Sequence, residues 1–420
     1  MSIETTQSLK RPPILGGAMI IAGTAVGAGM FSTPVVTSGV WFTGSIILLL
    51  YTWACMYFSG LMILETNLNY PSGASFHTMT KDLLGKGWNA INGISIAFVL
   101  YILTYAYISA GGSIIVHNFK NIISISQANA GLIFAFIVAF IVWLSTQAVD
   151  RLSTILIGGM VITFFMSAGG MFTEVKYVIL FNHQTDTISN DTATNYIPYA
   201  LAALPYLLVS FGYHGNIPSL VKYYHKDSKA VIRSLLFGTL IALAIYILWQ
   251  YVIQGNIPRE VFKQIIADGG NIDALLKHMD NTTDSKTVHQ LLNAFSYMAL
   301  ASSFLGVSLG LFDYIADFFG FKDNNTGRLK SALVTFIPPT ALALLFPNGF
   351  IHAIGFAGFA ATIWAVIIPA LMARASRQRF PEANYRAPGG KFLIGFIILF
   401  GLINAIAHIL SSLDLLPMYR

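Results

Sequence analysis

Long apolar runs follow one another along almost the whole chain, and short polar segments separate them. A helix needs about 20 apolar residues to cross the roughly 30 Å hydrocarbon core of a bilayer, and eleven runs reach about that length. They are 14–38, 41–69, 88–118, 126–148, 152–175, 196–221, 229–253, 289–318, 328–346, 350–373 and 392–412. These runs predict an all-α polytopic membrane protein with eleven transmembrane helices.

Composition excludes several classes of function. The chain is 55% hydrophobic and only 10% charged, with a mean hydropathy of +0.67, whereas a soluble domain carries roughly 25% charged residues. Cys55 is the single cysteine, so neither a disulfide framework nor a thiol metal cluster is expected. There is no HExxH motif and no convincing Ser–His or paired-Asp set. The sequence predicts neither an enzyme nor a bound cofactor or metal.

The distribution of basic residues predicts the orientation of the chain. The net charge is +6, but the Lys and Arg residues lie in short loops rather than on one face, so the lipid bilayer and not nucleic acid is the expected partner. Most of the 24 basic residues fall in segment 1–13 and in alternate loops. Because cytoplasmic loops hold the excess of positive charge, the N-terminus is predicted inside. An odd number of spans then places the C-terminus outside.

Two runs contain helix-breaking segments at matching places in the two halves of the chain. The first run holds Gly23-Thr24-Ala25-Val26-Gly27-Ala28-Gly29, and the sixth holds Ser210-Phe211-Gly212-Tyr213-His214-Gly215-Asn216, each with a proline after it. Glycine and proline disfavour an intact helix, and irregular backbone at membrane depth must line a cavity or be buried by protein. Two interrupted helices in corresponding positions are typical of inverted-repeat transporters, which bind substrate at the midplane.

Simpler interpretations of these segments exist. Gly23 and Gly27 form a GxxxG pair, which often indicates only close helix packing, and this interpretation stays open for the first run alone. The sixth run, with Tyr213, His214 and Asn216, is too polar for a packing seam. A phosphate-binding loop is excluded because no strand precedes the glycines and no Lys-Ser/Thr follows them.

Four segments resemble a known family. They are GTAVGAGMFSTP (23–34), SGLMILETNLNYPSGASF (59–76), SFGYHGNIPSL (210–220) and ASSFLGVSLGLFDY (301–314). The chain is similar over 14–412 to the bacterial hydroxy and aromatic amino acid permeases of the amino acid-polyamine-organocation superfamily, and most similar to tryptophan permeases. The resemblance implies a LeuT-type fold, with helices 1 and 6 broken at the midplane, and proton-coupled uptake of an aromatic amino acid across the bacterial inner membrane.

The resemblance also implies an organisation of the chain. A cytoplasmic N-terminus, 1–13, precedes a first five-helix repeat, 14–175, and a second five-helix repeat, 196–373, that contains an external loop at 254–288. The eleventh helix is 392–412, and the C-terminus is periplasmic.

The two interruptions suggest how a zwitterion is held. Free N–H groups at the start of the outer half-helix suit a carboxylate, so Gly27, Ala28 and Gly29 are predicted to bind the substrate carboxylate. Free carbonyls suit an ammonium group, and those of Gly23, Thr24, Ala25, Ser210 and Phe211 are the candidates. Backbone groups would then replace charged side chains at this depth.

Recognition of the substrate side chain is predicted to come from neighbouring spans. Tyr101, Thr104 and Tyr105 share one helix face by their spacing, while Phe211, Gly212 and Tyr213 lie at the second interruption. Aromatic rings around an indole or a phenol would select a flat ring. His214, Asn216 and Ser303 are unranked candidates for its polar partner.

Coupling to an ion gradient has three candidate sites. His214 lies at the second interruption, and imidazole titrates near physiological pH. Glu65 could accept a proton or brace the inner gate, and bracing is the favoured interpretation. In sodium-coupled relatives span-eight hydroxyls cage the ion, and Ser302 and Ser303 stand there. In some proton-coupled relatives a lysine of span five fills that cage. Here span five holds no lysine and Met160 is central. Coupling to sodium and coupling to protons therefore both stay open, although the resemblance and His214 favour protons.

Alternative functions follow from the same residues. The alternative substrates are tyrosine and phenylalanine, or serine and threonine in a smaller pocket. A non-transporting sensor would use the same site, and the absence of a signalling domain in this sequence counts against it.

Overall fold

The computed structural model describes residues 12–72, 74–119, 124–182, 196–270, 272–279, 286–417 and 419. Most of the predicted cytoplasmic N-terminus, 1–13, lies outside these ranges, as does part of the external loop 254–288. Every described element is helical, and no β-strand occurs in the described ranges.

The helices fall in the following order. They are α1 (Ile14–Ala25), α2 (Ala28–Val36), α3 (Trp41–Leu68), α4 (Phe76–Phe119), α5 (Gln127–Leu144), α6 (Thr146–Phe172), α7 (Tyr177–Leu180), α8 (Ala200–Ser210), α9 (Ile217–Tyr223), α10 (Ser228–Asn256), α11 (Val261–Ala267), α12 (Ile272–Met279), α13 (Lys286–Phe319), α14 (Asn325–Leu345), α15 (Phe350–Ala361), α16 (Ile368–Arg379) and α17 (Gly390–Ser412). Short 3₁₀ turns occupy Ile197–Tyr199 and His214–Asn216, and a π-helical segment, Thr362–Ile367, joins α15 to α16.

Nine helices of the described ranges are long and apolar enough to cross a membrane. They are Trp41–Leu68, Phe76–Val116, Gln127–Leu144, Thr146–Phe172, Ser228–Asn256, Thr287–Phe319, Asn325–Leu345, Phe350–Arg379 and Gly390–Ser412. The pair α1 and α2, bent by 54°, makes ten if it counts as one span. For the described residues, the prediction that the protein is all-helical and crosses the membrane several times is confirmed.

The ends of the spanning helices follow local sequence signals. Ser145 lies between α5 and α6, and its hydroxyl accepts a hydrogen bond from the Ala148 N–H at 3.1 Å. Asp227 does the same for α10, accepting from Lys229 and Ala230. Such side chains satisfy N–H groups that have no partner within the helix. In α4, Gly85 has a φ of 84°, so the helix kinks there and 76–84 is set off from the predicted span 88–118.

Small residues let the helices approach closely. A Cβ at Gly238 in α10 would stand 2.6 Å from the Ala18 carbonyl oxygen of α1. A Cβ at Gly112 in α4 would stand 2.5 Å from the Gln127 carbonyl oxygen of α5. Both distances are too short for a real carbon atom, so only glycine permits these contacts, as is common between membrane helices. The first contact fixes α1 against α10, about two helical turns before the interruption that ends α1.

Candidate functional site

The first interruption separates α1 from α2. Helix α1 ends at Ala25, Val26 and Gly27 are extended, and α2 begins at Ala28. The first N–H groups of α2 and the last carbonyls of α1 therefore have no partner within their own helices. A Cβ at Gly27 would stand 2.7 Å from the Ser303 hydroxyl oxygen. The structure thus places Ser303 of α13 against the predicted carboxylate-binding backbone.

The second interruption separates α8 from α9. Helix α8 ends at Ser210, the residues up to Tyr213 are irregular, and a 3₁₀ turn at His214–Asn216 leads into α9. Pro218 stands in the first turn of α9, where a proline removes no helical hydrogen bond. The predicted break in the sixth run therefore coincides with an observed one.

The structure brings the two interruptions together. A Cβ at Gly29 would stand 2.8 Å from Ser210 Cα, so α2 touches the end of α8. The Asn216 side-chain amide donates a hydrogen bond to the Thr24 hydroxyl at 2.5 Å. Residues almost 200 positions apart in sequence thus form one region at the ends of four half-helices.

A residue that the sequence analysis did not select lies at the centre of this region. The hydroxyl oxygen of Tyr246, in α10, is 2.6 Å from the Ala25 carbonyl oxygen and 2.7 Å from the Ser210 carbonyl oxygen. Its ring packs edge to face on Phe211 at 5.4 Å. No local signal distinguishes Tyr246 from the other tyrosines of the chain, and only its contacts identify it.

The tyrosines predicted from span three turn elsewhere. The Tyr101 hydroxyl donates to the Val334 carbonyl at 2.9 Å, and that of Tyr105 donates to the Phe346 carbonyl at 2.8 Å. Thr104 is buried and bonds within its own helix. Instead, the Tyr107 hydroxyl would lie 3.6 Å from a Cβ at Gly27. Tyr107 is therefore the span-three tyrosine that these contacts place at the first interruption.

Aromatic side chains close one side of the first interruption. Phe31 of α2 contacts Trp249 of α10 at a ring-centroid distance of 5.9 Å and Phe295 of α13 at 5.5 Å. Phe164 of α6 packs on Phe295 at 5.2 Å. All four side chains are buried. We call this group the Phe31 cluster. It packs α6, α10 and α13 against α2.

The His214 side chain packs between two aromatic rings. Its ring stacks on Tyr213 at 4.6 Å and meets Trp364 edge-on at 6.2 Å. The side chain is fully buried, and the Met56 backbone of α3 lies within hydrogen-bonding reach of its ring. Tyr213 in turn donates to the Met56 carbonyl of α3 at 3.1 Å. Trp364 belongs to the π-helical segment, a form of helix that is frequent at functional sites.

Glu65 forms a buried ion pair. Its side chain is 1% exposed, and its two oxygens accept from Arg377 at 2.7 Å and 2.8 Å. The Ala387 N–H donates to the same carboxylate at 2.8 Å. Paired, charge-assisted hydrogen bonds of this kind are strong. They tie α3 to α16 and to the segment before α17, which favours the bracing interpretation of Glu65 over a proton acceptor.

The serines considered for sodium differ in their surroundings. The Ser302 hydroxyl donates to the Ala299 carbonyl of its own helix at 3.1 Å, whereas Ser303 faces Gly27. Met160 is buried in α6. Among the described residues no group of three or more His, Cys, Asp or Glu side chains could hold a metal ion.

A buried arginine contacts the end of the first interrupted run and the start of the sixth. Arg259 is 5% exposed and donates to the carbonyls of Ser38 and Gly39 at 3.0 Å and 2.8 Å. Its guanidinium also lies over the rings of Tyr196 and Tyr419, at 4.9 Å and 4.0 Å, an attractive cation–π arrangement. We call these residues the Arg259 cluster.

The C-terminal tail completes the Arg259 cluster. The Tyr419 hydroxyl donates to Glu260 at 2.7 Å. Burial, with this hydrogen bond, raises the pKa of Tyr419 above its ordinary value. The raised pKa extends to higher pH the protonated state in which the phenol donates to Glu260.

Known proteins resemble this chain over its whole length. A tryptophan-specific transport protein of Pseudomonas aeruginosa is 58% identical over 98% of both chains. A low affinity tryptophan permease of Escherichia coli is 46% identical over 99% of this chain and 100% of its own, and a tyrosine permease of Enterobacter agglomerans is 41% identical over 97% of this chain and 98% of its own. Residues 10–408 match the tryptophan/tyrosine permease family. The chain is a multi-pass membrane protein and belongs to the tryptophan/tyrosine permease family.

Proposed function

We propose that this permease is a secondary active transporter that imports tryptophan by proton symport and alternating access. One observation carries the proposal: the free ends of two interrupted helices converge on one buried region. The tryptophan-specific relative at 58% identity supports tryptophan as the substrate. The tyrosine permease at 41% identity makes tyrosine the second candidate. Because the family and these relatives are transport proteins, the chain is not an enzyme.

Each end of the zwitterion has its own partners in this proposal. The substrate carboxylate binds the N–H groups at the start of α2, from Gly27 to Gly29, where the helix dipole is positive. The ammonium group binds carbonyls at the ends of α1 and α8, such as those of Ala25 and Ser210. The aromatic side chain lies near Phe211, with Tyr107 and Ser303 close to the carboxylate.

The membrane arrangement is part of the proposal. We assign α8 and α9 together as one further interrupted span, because they flank the second break as α1 and α2 flank the first. With the nine spanning helices and the α1–α2 pair, this gives eleven spans. A LeuT-type arrangement then consists of repeats 14–175 and 196–373, with 392–412 appended. The N-terminus is cytoplasmic and the C-terminus periplasmic in the bacterial inner membrane.

This orientation also assigns a transport state. The Phe31 cluster and the Arg259 cluster both lie on the outer side of the interruptions. The Phe31 cluster is buried, and so are Arg259, Ser38 and Tyr419 of the Arg259 cluster. On the inner side, Thr24 and Gly215 are exposed. We therefore assign the structure to a state that is closed to the periplasm.

Proton coupling is assigned to His214. It is a fully buried imidazole that directly follows the second interruption. Ionisable side chains within membrane spans are rare and commonly functional. Sodium coupling through Ser302 and Ser303 is the alternative, since Ser303 faces the first interruption.

The test is uptake of labelled tryptophan into proteoliposomes under an inward proton gradient without sodium. We expect accumulation that a protonophore abolishes and that unlabelled tryptophan blocks better than tyrosine, phenylalanine or serine. Accumulation that begins only when sodium is added would transfer coupling to the Ser302–Ser303 region. Binding of tryptophan without uptake under either gradient would replace the transporter proposal by a sensor.

A further inference from the structure

The Tyr246 side chain lies between the two interrupted runs and contacts both of them. Its side chain is fully buried in α10, and its hydroxyl oxygen is within hydrogen-bonding distance of two carbonyl oxygens, at 2.6 Å and 2.7 Å. These carbonyls belong to Ala25 and Ser210, which are the last residues of α1 and α8. The two carbonyl oxygens can therefore be no farther apart than the sum of these distances. One side chain from a third helix brings both helix ends together.

The number of available protons makes this arrangement incomplete. A tyrosine hydroxyl has one hydrogen and two lone pairs, so at any moment it donates fully to only one of the two carbonyls. Each carbonyl belongs to the last residue of a helix. Carbonyls at that end lack partners within the helix, and the C-terminal end of the helix dipole is negative. The Ser210 hydroxyl beside them is also buried, with no hydrogen-bond partner among the described residues. The two carbonyl oxygens and the two hydroxyl oxygens together offer more acceptor positions than the two hydroxyl hydrogens can fill.

The missing donor has a definite chemistry. The Ala25 carbonyl, the Ser210 carbonyl and the Tyr246 hydroxyl oxygen form a set of three acceptors around one point. A primary ammonium group has three N–H donors and a positive charge, which the negative ends of two helices stabilise. No Asp or Glu occurs in 14–36 or in 200–223, so a carboxylate from these runs does not take the ammonium.

We propose that Tyr246 is a positioning residue for the α-ammonium group of the substrate. It holds the two carbonyls at the spacing that an ammonium group needs and supplies the third acceptor itself. This inference rests on the proposed function and adds to it the side chain that distinguishes an amino acid from an acid that lacks the amine.

The substitution Tyr246→Phe tests this role, because phenylalanine keeps the ring that packs on Phe211 and removes only the hydroxyl. Two ligands are compared by equilibrium binding to the purified full-length protein: tryptophan, and indole-3-propionate, which has the same ring and carboxylate but no amine. We expect the Kd for tryptophan to rise about tenfold, as for the loss of one hydrogen bond to a charged group. The Kd for indole-3-propionate should change by less than about twofold. The KM for uptake should rise with the Kd, while kcat changes little.

The matched control is Tyr314→Phe. The Tyr314 hydroxyl also donates to a main-chain carbonyl of another span, that of Gly93 at 3.1 Å, but far from both interruptions in sequence. The Tyr314→Phe substitution should leave the ratio of the Kd for tryptophan to the Kd for indole-3-propionate unchanged. Equal weakening of both ligands by Tyr246→Phe, or no weakening of either, would overturn the inference by showing a purely structural role or none. If the unaltered protein fails to bind tryptophan, the proposed function itself is wrong.

Discussion

At the scale of single residues, the interruptions depend on positions that leave no room for a side chain. A Cβ at Gly27 would collide with Ser303, and a Cβ at Gly29 would collide with Ser210. The glycines were predicted as helix breakers with exposed N–H groups, but the reason each must be glycine is a contact with another helix. These contacts hold the free backbone groups of α2 against α13 and α8.

The substitution Gly27→Leu should abolish tryptophan uptake, because the new side chain fills the space beside Ser303. Gly27→Ala should already reduce uptake about tenfold, since its Cβ would stand 2.7 Å from the Ser303 hydroxyl. Initial rates in proteoliposomes measure both. Gly169→Ala is the control, because a Cβ there meets nothing within 4 Å. Normal uptake by a well-folded Gly27→Leu protein would remove Gly27 from the site.

The substitution His214→Gln should separate exchange from accumulation. Without a titratable imidazole the protein should still exchange internal for external tryptophan, but it should not concentrate tryptophan in response to a proton gradient. Both are measured in the same proteoliposomes. His408→Gln is the control, because His408 is also buried and stacks on Phe359 at 5.3 Å, yet it lies in α17, outside both interrupted runs. Undiminished accumulation by His214→Gln would exclude His214 from coupling.

At the scale of elements, one ion pair joins helices that are far apart in sequence. Glu65 of α3 and Arg377 of α16 are separated by 312 positions, and the Ala387 N–H adds the segment before α17. A buried ion pair is costly to form, but removing one partner leaves an uncompensated charge. The pair therefore fixes the relative position of its helices more than it adds to net stability.

The substitution Glu65→Gln should lower the free energy of unfolding by about 3 kcal/mol, because Arg377 is left as a buried charge without its counter-ion. The double substitution Glu65→Gln, Arg377→Gln should recover part of this loss, since no unpaired charge remains. A lower apparent melting temperature of the purified protein reports the loss.

The control for this ion pair is Arg379→Gln. Arg379 is 61% exposed and lies 3.7 Å from Asp82, and exposed pairs contribute roughly 0–1 kcal/mol. The melting temperature of the Arg379→Gln protein should stay close to that of the unaltered protein. Equal losses for Glu65→Gln and Arg379→Gln would contradict the role assigned to the buried pair.

At the scale of the whole molecule, the Arg259 cluster connects parts of the chain that lie in different regions of the sequence. Arg259 contacts the end of the first run through Ser38 and Gly39, the start of the sixth run through Tyr196, and the tail through Tyr419. This arrangement requires that all these segments lie on the same side of the membrane. In the proposed topology that side is the periplasm.

Cysteine labelling tests this topology. Replacing Cys55 by serine gives a cysteine-free background, because Cys55 is the single cysteine. The exposed positions Pro417, after α17, and Glu382, before α17, then receive one cysteine each. In spheroplasts a membrane-impermeant maleimide should label Pro417→Cys, while Glu382→Cys should react only after the membrane is permeabilised. The reverse pattern would invert the topology, and labelling of both sites without permeabilisation would contradict a membrane-spanning α17.

Both helix interruptions were predictable from sequence, whereas the rotation of span three was not, for an identifiable reason. The glycine and proline segments mark both interruptions, because they disfavour helix wherever they occur. Helical spacing favours Tyr101 and Tyr105, but spacing shows only which residues share a face and not where that face points. In a span that is apolar on all sides, no polar face fixes the rotation. Packing against α14 turned these tyrosines away and brought Tyr107 to Gly27.

The sequence by itself determined that this protein is helical, crosses a membrane several times and has two interrupted runs, because these properties depend on run length and local backbone preference. The tertiary structure alone decided that the interruptions meet, that Tyr246 lies between them and that Glu65 pairs with Arg377. Those contacts join residues separated by 36 to 312 positions. Such contacts follow from how whole helices pack and rotate, and this is a property of the assembled bundle.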